Sequence, residues 1–216
     1  MSPAKPNPSG ATANADWIYN QQVGIYRKGN RGITPRRLIE VRNETVAGST
    51  AASDGLAAQV STGQISVQTW TTQMRAAIKE AYTQQYVLAR GGINNMTQAD
   101  WGRLGGALRE QYQYLDRFAQ EITMGRLSPA QIQSRARLYM NSATQAFERG
   151  KAAGKGLVLP AYPGDGSTQC RTNCKCRWDI RETSGAYYCR WLLGVAEHCP
   201  DCVTNAGRWN PLVIAR

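Results

Sequence analysis

Cysteine is the residue type in this chain whose spacing suggests chemistry, because all six cysteines lie between positions 170 and 202. Cys170, Cys174 and Cys176 form one group with the spacing C-x3-C-x-C, and Cys199 and Cys202 form a second with the spacing C-x2-C. A turn with cysteines a few residues apart directs two thiolates at one point, and tetrahedral Zn²⁺ takes four such ligands. The two groups therefore predict a structural zinc site in which Cys199 and Cys202 are joined by two cysteines of the first group.

Two other uses of the thiols fit the same spacing. The cysteines would form disulfides if the protein ends up outside a cell, or they would stay free thiols without a metal. Cys189 lies within a predicted strand, and we interpret it as a packed thiol. His198, the single histidine, adjoins Cys199, but the side chains of sequence neighbours point apart and no carboxylate or asparagine completes a catalytic pair. We therefore predict no catalytic residue and no enzymatic activity.

The segment between the two cysteine groups predicts a β-hairpin. Alternating residues over 177–181 and 186–193 predict two strands, and residues 182–185 predict the turn between them. Antiparallel strands of similar length return the chain to its start, so both cysteine groups are expected at one end of the hairpin. Residues 156–216 are thus predicted to form a Cys-rich, zinc-ribbon-like module, which needs a metal staple because it has few aliphatic residues.

Residues 65–155 predict a three-helix bundle. Apolar residues recur at helical spacing from about 66 to 90, and Gly91-Gly92 is a signal for the end of a helix. Thr97-Gln-Ala-Asp100 and Ser128-Pro-Ala-Gln131 have the pattern of helix starts, with a capping residue followed by a partner three positions later. The predicted fold is therefore mainly α, with an N-terminal arm, the bundle and the small hairpin module.

The N-terminal segment, residues 1–64, predicts an extended arm because prolines open it and small polar residues fill positions 43–64. Two short apolar patches interrupt this segment. We expect them to anchor the arm on another subunit, since apolar side chains in a polar segment need a surface that buries them. The alternative is that the arm packs back on its own domain. The predicted anchor residues are Trp17, Ile18, Tyr19, Ile25 and Tyr26.

The chain is strongly basic, with 26 lysines and arginines against 15 acidic residues, which gives 26 − 15 = +11. A field of this sign favours nucleic acid, an acidic membrane face or an acidic protein as a partner. No run of about 18 apolar residues predicts a membrane span, and the N-terminus lacks the apolar segment of a secretory signal. No glycine-rich phosphate-binding motif is present. We therefore expect protein or nucleic-acid partners, and neither a membrane nor a small-molecule substrate.

Four segments of the sequence together resemble a known family. They are Thr97–Tyr112, Leu127–Ile132, the stretch from Tyr162 to Cys176, and Cys199–Cys202. The combination is similar to the Mu-F-like head morphogenesis proteins, which are minor head proteins of tailed bacteriophages and often carry a CxxC and an NCxC element after a helical region. The two elements match Cys199-Pro-Asp-Cys202 and Asn173-Cys174-Lys-Cys176, although here NCKC precedes CPDC. The resemblance covers residues 65–216.

The resemblance implies a structural protein of the virion that is assembled in the host cytoplasm. It would lie near the portal or the neck, or on the inner capsid surface, contact major capsid or portal subunits, and face packaged DNA with its positive charge. The leading alternative is a free nucleic-acid-binding protein with a zinc ribbon, although no helix with clustered basic and amide residues predicts a reading helix. A phage-encoded hydrolase is a third class, for which the sequence offers no nucleophile or base.

Overall fold

The computed structural model describes residues 17–20, 25–28, 31–195 and 197–216. The chain is mainly helical, as predicted, and carries a small three-stranded antiparallel sheet near its C-terminus. The helices are α1 (Pro35–Ser61), α2 (Val67–Arg90), α3 (Gln98–Thr123), α4 (Pro129–Ser142), α5 (Thr144–Ala153) and α6 (Pro200–Arg208). The strands are β1 (Trp17–Asn20), β2 (Ile25–Lys28), β3 (Arg31–Ile33), β4 (Arg177–Glu182), β5 (Ala186–Leu192) and β6 (Leu212–Ala215). Within the described ranges, no helix is long and apolar enough to cross a membrane.

The predicted helix starts are confirmed. Thr97 and Asp100 form a reciprocal capping box at the start of α3, and Ser128 and Gln131 form another at the start of α4. Each box satisfies two backbone N–H groups that have no partner inside the helix. Helix α2 ends at Gly91, whose φ of 76° is the left-handed conformation that glycine adopts at low cost.

The prediction of an extended arm over residues 1–64 is wrong for its second half, because residues 35–61 form helix α1. The hydroxyl of Thr34 accepts a hydrogen bond from the backbone N–H of Arg37 and caps this helix. The buried side chains of α1 are few for a helix of 27 residues, and small or polar residues make up much of the rest, so the segment has the composition of a polar linker. Helix α1 packs along α2 and α4, so it belongs to the helical body.

The three-helix bundle is also corrected. The third predicted helix is two helices, α4 and α5, which meet at Ala143, and with α1 the bundle has five helices. Its core lies between α2, α3 and α4, where Trp70 meets Phe118 edge-on with ring centroids 5.1 Å apart. The guanidinium of Arg135 in α4 also lies over the Phe118 ring, 4.4 Å from its centre.

The five predicted anchor residues lie in two paired strands of an N-terminal sheet. Trp17, Ile18 and Tyr19 belong to β1, and Ile25 and Tyr26 belong to β2. The strands are antiparallel with Tyr19 opposite Tyr26, and β3 pairs with β2, so this part of the arm is a small sheet. Contact of these residues with another subunit stays a prediction, and residues 1–16 lie outside the described residues.

A buried carboxylate connects the helical body to the C-terminal module. Glu148 of α5 is fully buried, and its Oε1 accepts a hydrogen bond from Arg42 of α1 at 3.1 Å. Its Oε2 accepts from the Lys151 ammonium at 3.2 Å and from the backbone N–H of Trp178 in β4 at 3.0 Å. Burial lowers the pKa of Arg42, and the charge of Glu148 acts in the opposite direction. Glu148 therefore joins α1, α5 and β4 at one point.

Replacing Glu148 with glutamine is expected to lower the free energy of unfolding by about 3 kcal/mol, because Arg42 would stay buried without its counter-charge. Urea unfolding followed by circular dichroism at 222 nm measures this loss. The matched control is Glu110→Gln, which changes an exposed carboxylate on α3 and should stay within about 0.5 kcal/mol of the wild type. Equal stability of the two variants would contradict a structural role for the Glu148 contacts.

Candidate metal centre

Three local structures bring the cysteines to one end of the C-terminal module. Cys170 and Cys174 flank a 3₁₀ helix formed by Arg171–Asn173, and Cys176 directly precedes β4. Cys199 is the N-cap of α6, and Cys202 lies in the first turn of that helix. The predicted hairpin is confirmed, because β4 and β5 pair antiparallel with Arg177 opposite Leu192. The chain therefore leaves the hairpin beside Cys176, where it began.

A glycine makes this return possible. A Cβ atom on Gly194 would lie 2.5 Å from the backbone oxygen of Lys175, a distance that no side chain tolerates. Glycine at this position lets the chain leaving β5 pass directly against the backbone between Cys174 and Cys176.

Two aspartates fix the loop that carries Cys170. Asp165 accepts hydrogen bonds from the backbone N–H of Tyr162 at 2.7 Å and of Ser167 at 2.9 Å, which closes the loop before Cys170. Asp201 of α6 accepts from the backbone N–H of Gln169 at 2.8 Å and so ties this loop to the helix that carries Cys202. Sequence reasoning missed both aspartates. The signal for Asp201 was its place between the two cysteines of C-x2-C.

The five predicted thiols form two triads that share Cys202. The sulfurs of Cys170, Cys199 and Cys202 lie within 4.8 Å of one another, and so do those of Cys174, Cys176 and Cys202. The Sγ of Cys202 is 3.6 Å from that of Cys170 and 3.6 Å from that of Cys174. A tetrahedral ion with metal–sulfur bonds of about 2.3 Å has sulfurs about 3.8 Å apart. The cluster can therefore hold a metal ion, and Cys202 is the thiol common to both triads.

The thiols surround a cavity of about 40 Å³, which is large enough for one ion. Cys174, Cys176 and Cys202 are buried, and Cys170 and Cys199 are half-buried. The cavity is completed by Asn173, Lys175, Glu197 and His198. Cys189 is buried as well, but it lies in β5 opposite Ile180 and takes no part in either triad, which agrees with its interpretation as a packed thiol.

Hydrogen bonds and burial shift the pKa values of the clustered thiols in different directions. The Cys174 thiol donates to the Cys176 sulfur, which lowers the pKa of Cys176 to about 5 and raises the pKa of Cys174. Burial raises the pKa of Cys202. At Cys199 burial acts upward on the pKa, but hydrogen bonds from the backbone of Cys202 and Cys170 outweigh it and the pKa is lowered. Cys176 is thus the thiol that most readily supplies a thiolate, and metal binding displaces protons from thiols that are still protonated.

The chain matches no protein-family model, no curated protein and no solved structure with which it was compared.

The shared position of Cys202 predicts how single substitutions affect bound metal. Cys202→Ser should abolish metal binding, because it removes a sulfur from both triads and leaves two separate pairs. Cys170→Ser and Cys174→Ser should each keep about one ion per chain, since one triad stays intact and a further thiol can join it. Inductively coupled plasma mass spectrometry of the purified variants measures their metal content and tests these expectations.

Cys189→Ser is the matched control for these variants, because it removes a buried thiol outside both triads. It should retain the metal content of the wild type. A Cys170→Ser variant that loses metal as completely as Cys202→Ser would contradict the central place of Cys202, and a wild type without metal would contradict the centre itself.

Proposed function

We propose that this chain is a non-enzymatic structural component of a tailed-phage virion, associated with the portal or neck, in which a zinc ion staples the C-terminal module. The observation that carries the proposal is that the segments resembling minor head proteins all coincide with residues that build the fold. Thr97 and Ser128 start α3 and α4, and Asp165 closes the loop before the cysteines. The cysteines of NCKC and CPDC meet in one cluster. Residues that cap helices, close loops and gather thiols support a structural role for the protein.

Zinc is the metal that best suits the donor set. Cysteine ligands without carboxylates in the triads favour Zn²⁺ or another thiophilic ion over Mg²⁺ or Ca²⁺, which prefer oxygen ligands. In this proposal Cys202 binds the ion together with three of Cys170, Cys174, Cys176 and Cys199. Four protein thiolates complete a structural site, whereas a catalytic zinc has three protein ligands and an open position.

The proposed partners are other virion proteins, namely major capsid or portal subunits. The N-terminal sheet, with Trp17, Ile18 and Tyr19 on β1 and Ile25 and Tyr26 on β2, is the proposed contact. These are large apolar or aromatic residues in short strands, a composition that favours burial against a partner surface. Packaged DNA is the proposed neighbour of the basic helical body, and the assembled protein would reside in the virion.

Removal of zinc is expected to unfold the C-terminal module and leave the helical body folded. Trp178, Trp191 and Trp209 are buried in this module, so a strong chelator should shift tryptophan emission to longer wavelength. The ellipticity at 222 nm should change little, because α1 to α4 have their own side-chain caps and the helical body has its own core. Unchanged emission after complete removal of the metal would show that the ion does not support the module. The Cys202→Ser variant, which lacks the shared ligand, serves as the control and should show no further shift.

The virion assignment predicts that the protein copurifies with intact phage particles and resists washing at moderate salt. Quantitative mass spectrometry of particles purified on a density gradient gives its copy number against the major capsid protein. A fixed copy number per particle supports a structural component. Presence in the infected-cell lysate together with absence from particles would instead favour the free nucleic-acid-binding protein.

A further inference from the structure

Helix α3 presents a row of arginines on its outer side. Arg109 and Arg117 are exposed on the helix, and Arg126 is exposed just beyond its end. Among the described residues none of the three forms a salt bridge, and Arg117 makes a cation–π contact with Tyr114 at 5.8 Å. Several other arginines of the helical body are paired, for example Arg137 with Asp54 at 2.7 Å. The three arginines therefore present charge that no salt bridge among the described residues neutralises.

Two of the three arginines extend along the helix. Arg109 and Arg117 are eight residues apart, which corresponds to about 12 Å along the axis at 1.5 Å per residue. The exposed amides of Gln113 and Gln120 lie on the same outer half, opposite the buried side that faces the core. Arginine and amide donors thus alternate along one helix face through Arg109, Gln113, Arg117 and Gln120, and Arg126 is exposed in the turn that follows the helix. We call these five residues together the α3 face.

Acidic groups near the α3 face reduce its charge only in part. Asp116 is engaged by Arg75, whose Nη2 lies 2.6 and 2.8 Å from its two oxygens. Glu121 is likewise engaged by Arg135 of α4. Glu110 is an exposed carboxylate, and it accepts a hydrogen bond from the Tyr114 hydroxyl at 3.2 Å. The charge of Glu121 also interacts with that of Arg126, but Glu121 is already paired with Arg135. Three arginines against Glu110 and this paired carboxylate leave the face positive.

The composition of the α3 face fits a polyanion better than a protein. The centre of a protein–protein interface is rich in apolar and aromatic residues and poor in charge. The α3 face has arginines and glutamines at its centre, whereas Tyr114 and Met124 lie at its side and end. Protein–nucleic acid interfaces are more polar and much more positive, and their arginines bind phosphate oxygens through two parallel hydrogen bonds.

We propose that the α3 face binds the phosphate backbone of double-stranded nucleic acid without reading its sequence. The net charge of +11 would attract the polyanion, and the arginines of this face would make the direct contacts. This inference takes its setting, beside packaged DNA, from the proposed function. The binding itself is a property of the purified chain and is tested without the virion.

Fluorescence anisotropy with labelled 30-bp duplexes of two unrelated sequences tests the proposal on the full chain. The wild type should bind both duplexes equally. The variant Arg109→Ala/Arg117→Ala/Arg126→Ala should bind more weakly at 50 mM salt, and its slope of log affinity against log salt should be smaller by about 0.9 × 3 ≈ 2.7. Between 50 and 200 mM salt the wild type should then lose roughly 40-fold more affinity than the variant.

The matched control is Arg36→Ala/Arg137→Ala/Arg181→Ala, which removes the same charge from exposed arginines that are paired on α1, α4 and β4. It should keep a salt slope within about one unit of the wild type. Circular dichroism confirms that both triple variants are folded.

Three results would overturn the proposal. They are no binding of the wild type at 50 mM salt, an equal loss of slope in both triple variants, and displacement of the duplex by polyglutamate as readily as by unlabelled DNA. The last result would assign the α3 face to acidic proteins. Binding by the α3 face in a protein that is absent from particles would uphold this inference and reject the virion assignment.

Discussion

The arrangement of this protein depends on one buried carboxylate, that of Glu148. A buried charge is costly unless hydrogen bonds and a counter-charge compensate it, so the groups around Glu148 are held in place by the same requirement. Arg42 comes from α1, Lys151 from α5 and the backbone N–H of Trp178 from β4. The ammonium of Lys151 also donates to the Trp178 carbonyl oxygen, so both backbone polar groups of that residue bond to α5. The helical body therefore fixes where the hairpin begins.

From this point the geometry extends to the thiols through three tryptophans. Trp178 lies two residues after Cys176, and its ring contacts Trp191 of β5 and Trp209 after α6, with centroids 5.4 and 5.3 Å apart. The backbone N–H of Trp191 donates to the Trp209 carbonyl oxygen at 3.2 Å, which ties β5 to the end of the helix that carries Cys202. The module thus has an aromatic core between the strands and the helix that carry its cysteines, and in the proposed function the metal ion holds this small core closed.

The parts of this structure that the sequence predicted are those that local interactions decide. The capping boxes at Thr97 and Ser128 and the alternation in β4 and β5 act within a few residues, so the pattern alone identified them. Helix α1 escaped prediction because its burial depends on α2 and α4, and small residues such as Ala57 can be buried without an apolar stripe. The role of Glu148 was equally hidden, since a glutamate in a helix is ordinarily a surface charge. The division of five thiols into two triads around Cys202 requires distances between segments that no spacing contains.

The use of charge in this fold explains why one helix presents a basic face. The chain has 15 acidic residues for 26 basic ones, and many of its carboxylates are engaged within the fold. Asp100 is an example, because its oxygens accept from Thr97 at the start of α3, from Tyr86 and from Arg90. Carboxylates that cap helices or pair with arginines between helices do not neutralise the remaining basic side chains of the surface. Part of the surplus positive charge then remains on the outer side of α3. The opposite side of this helix packs against the core through Leu104, Leu115 and Phe118. The same amphipathic pattern that folds the helix therefore decides which of its charges a partner can reach.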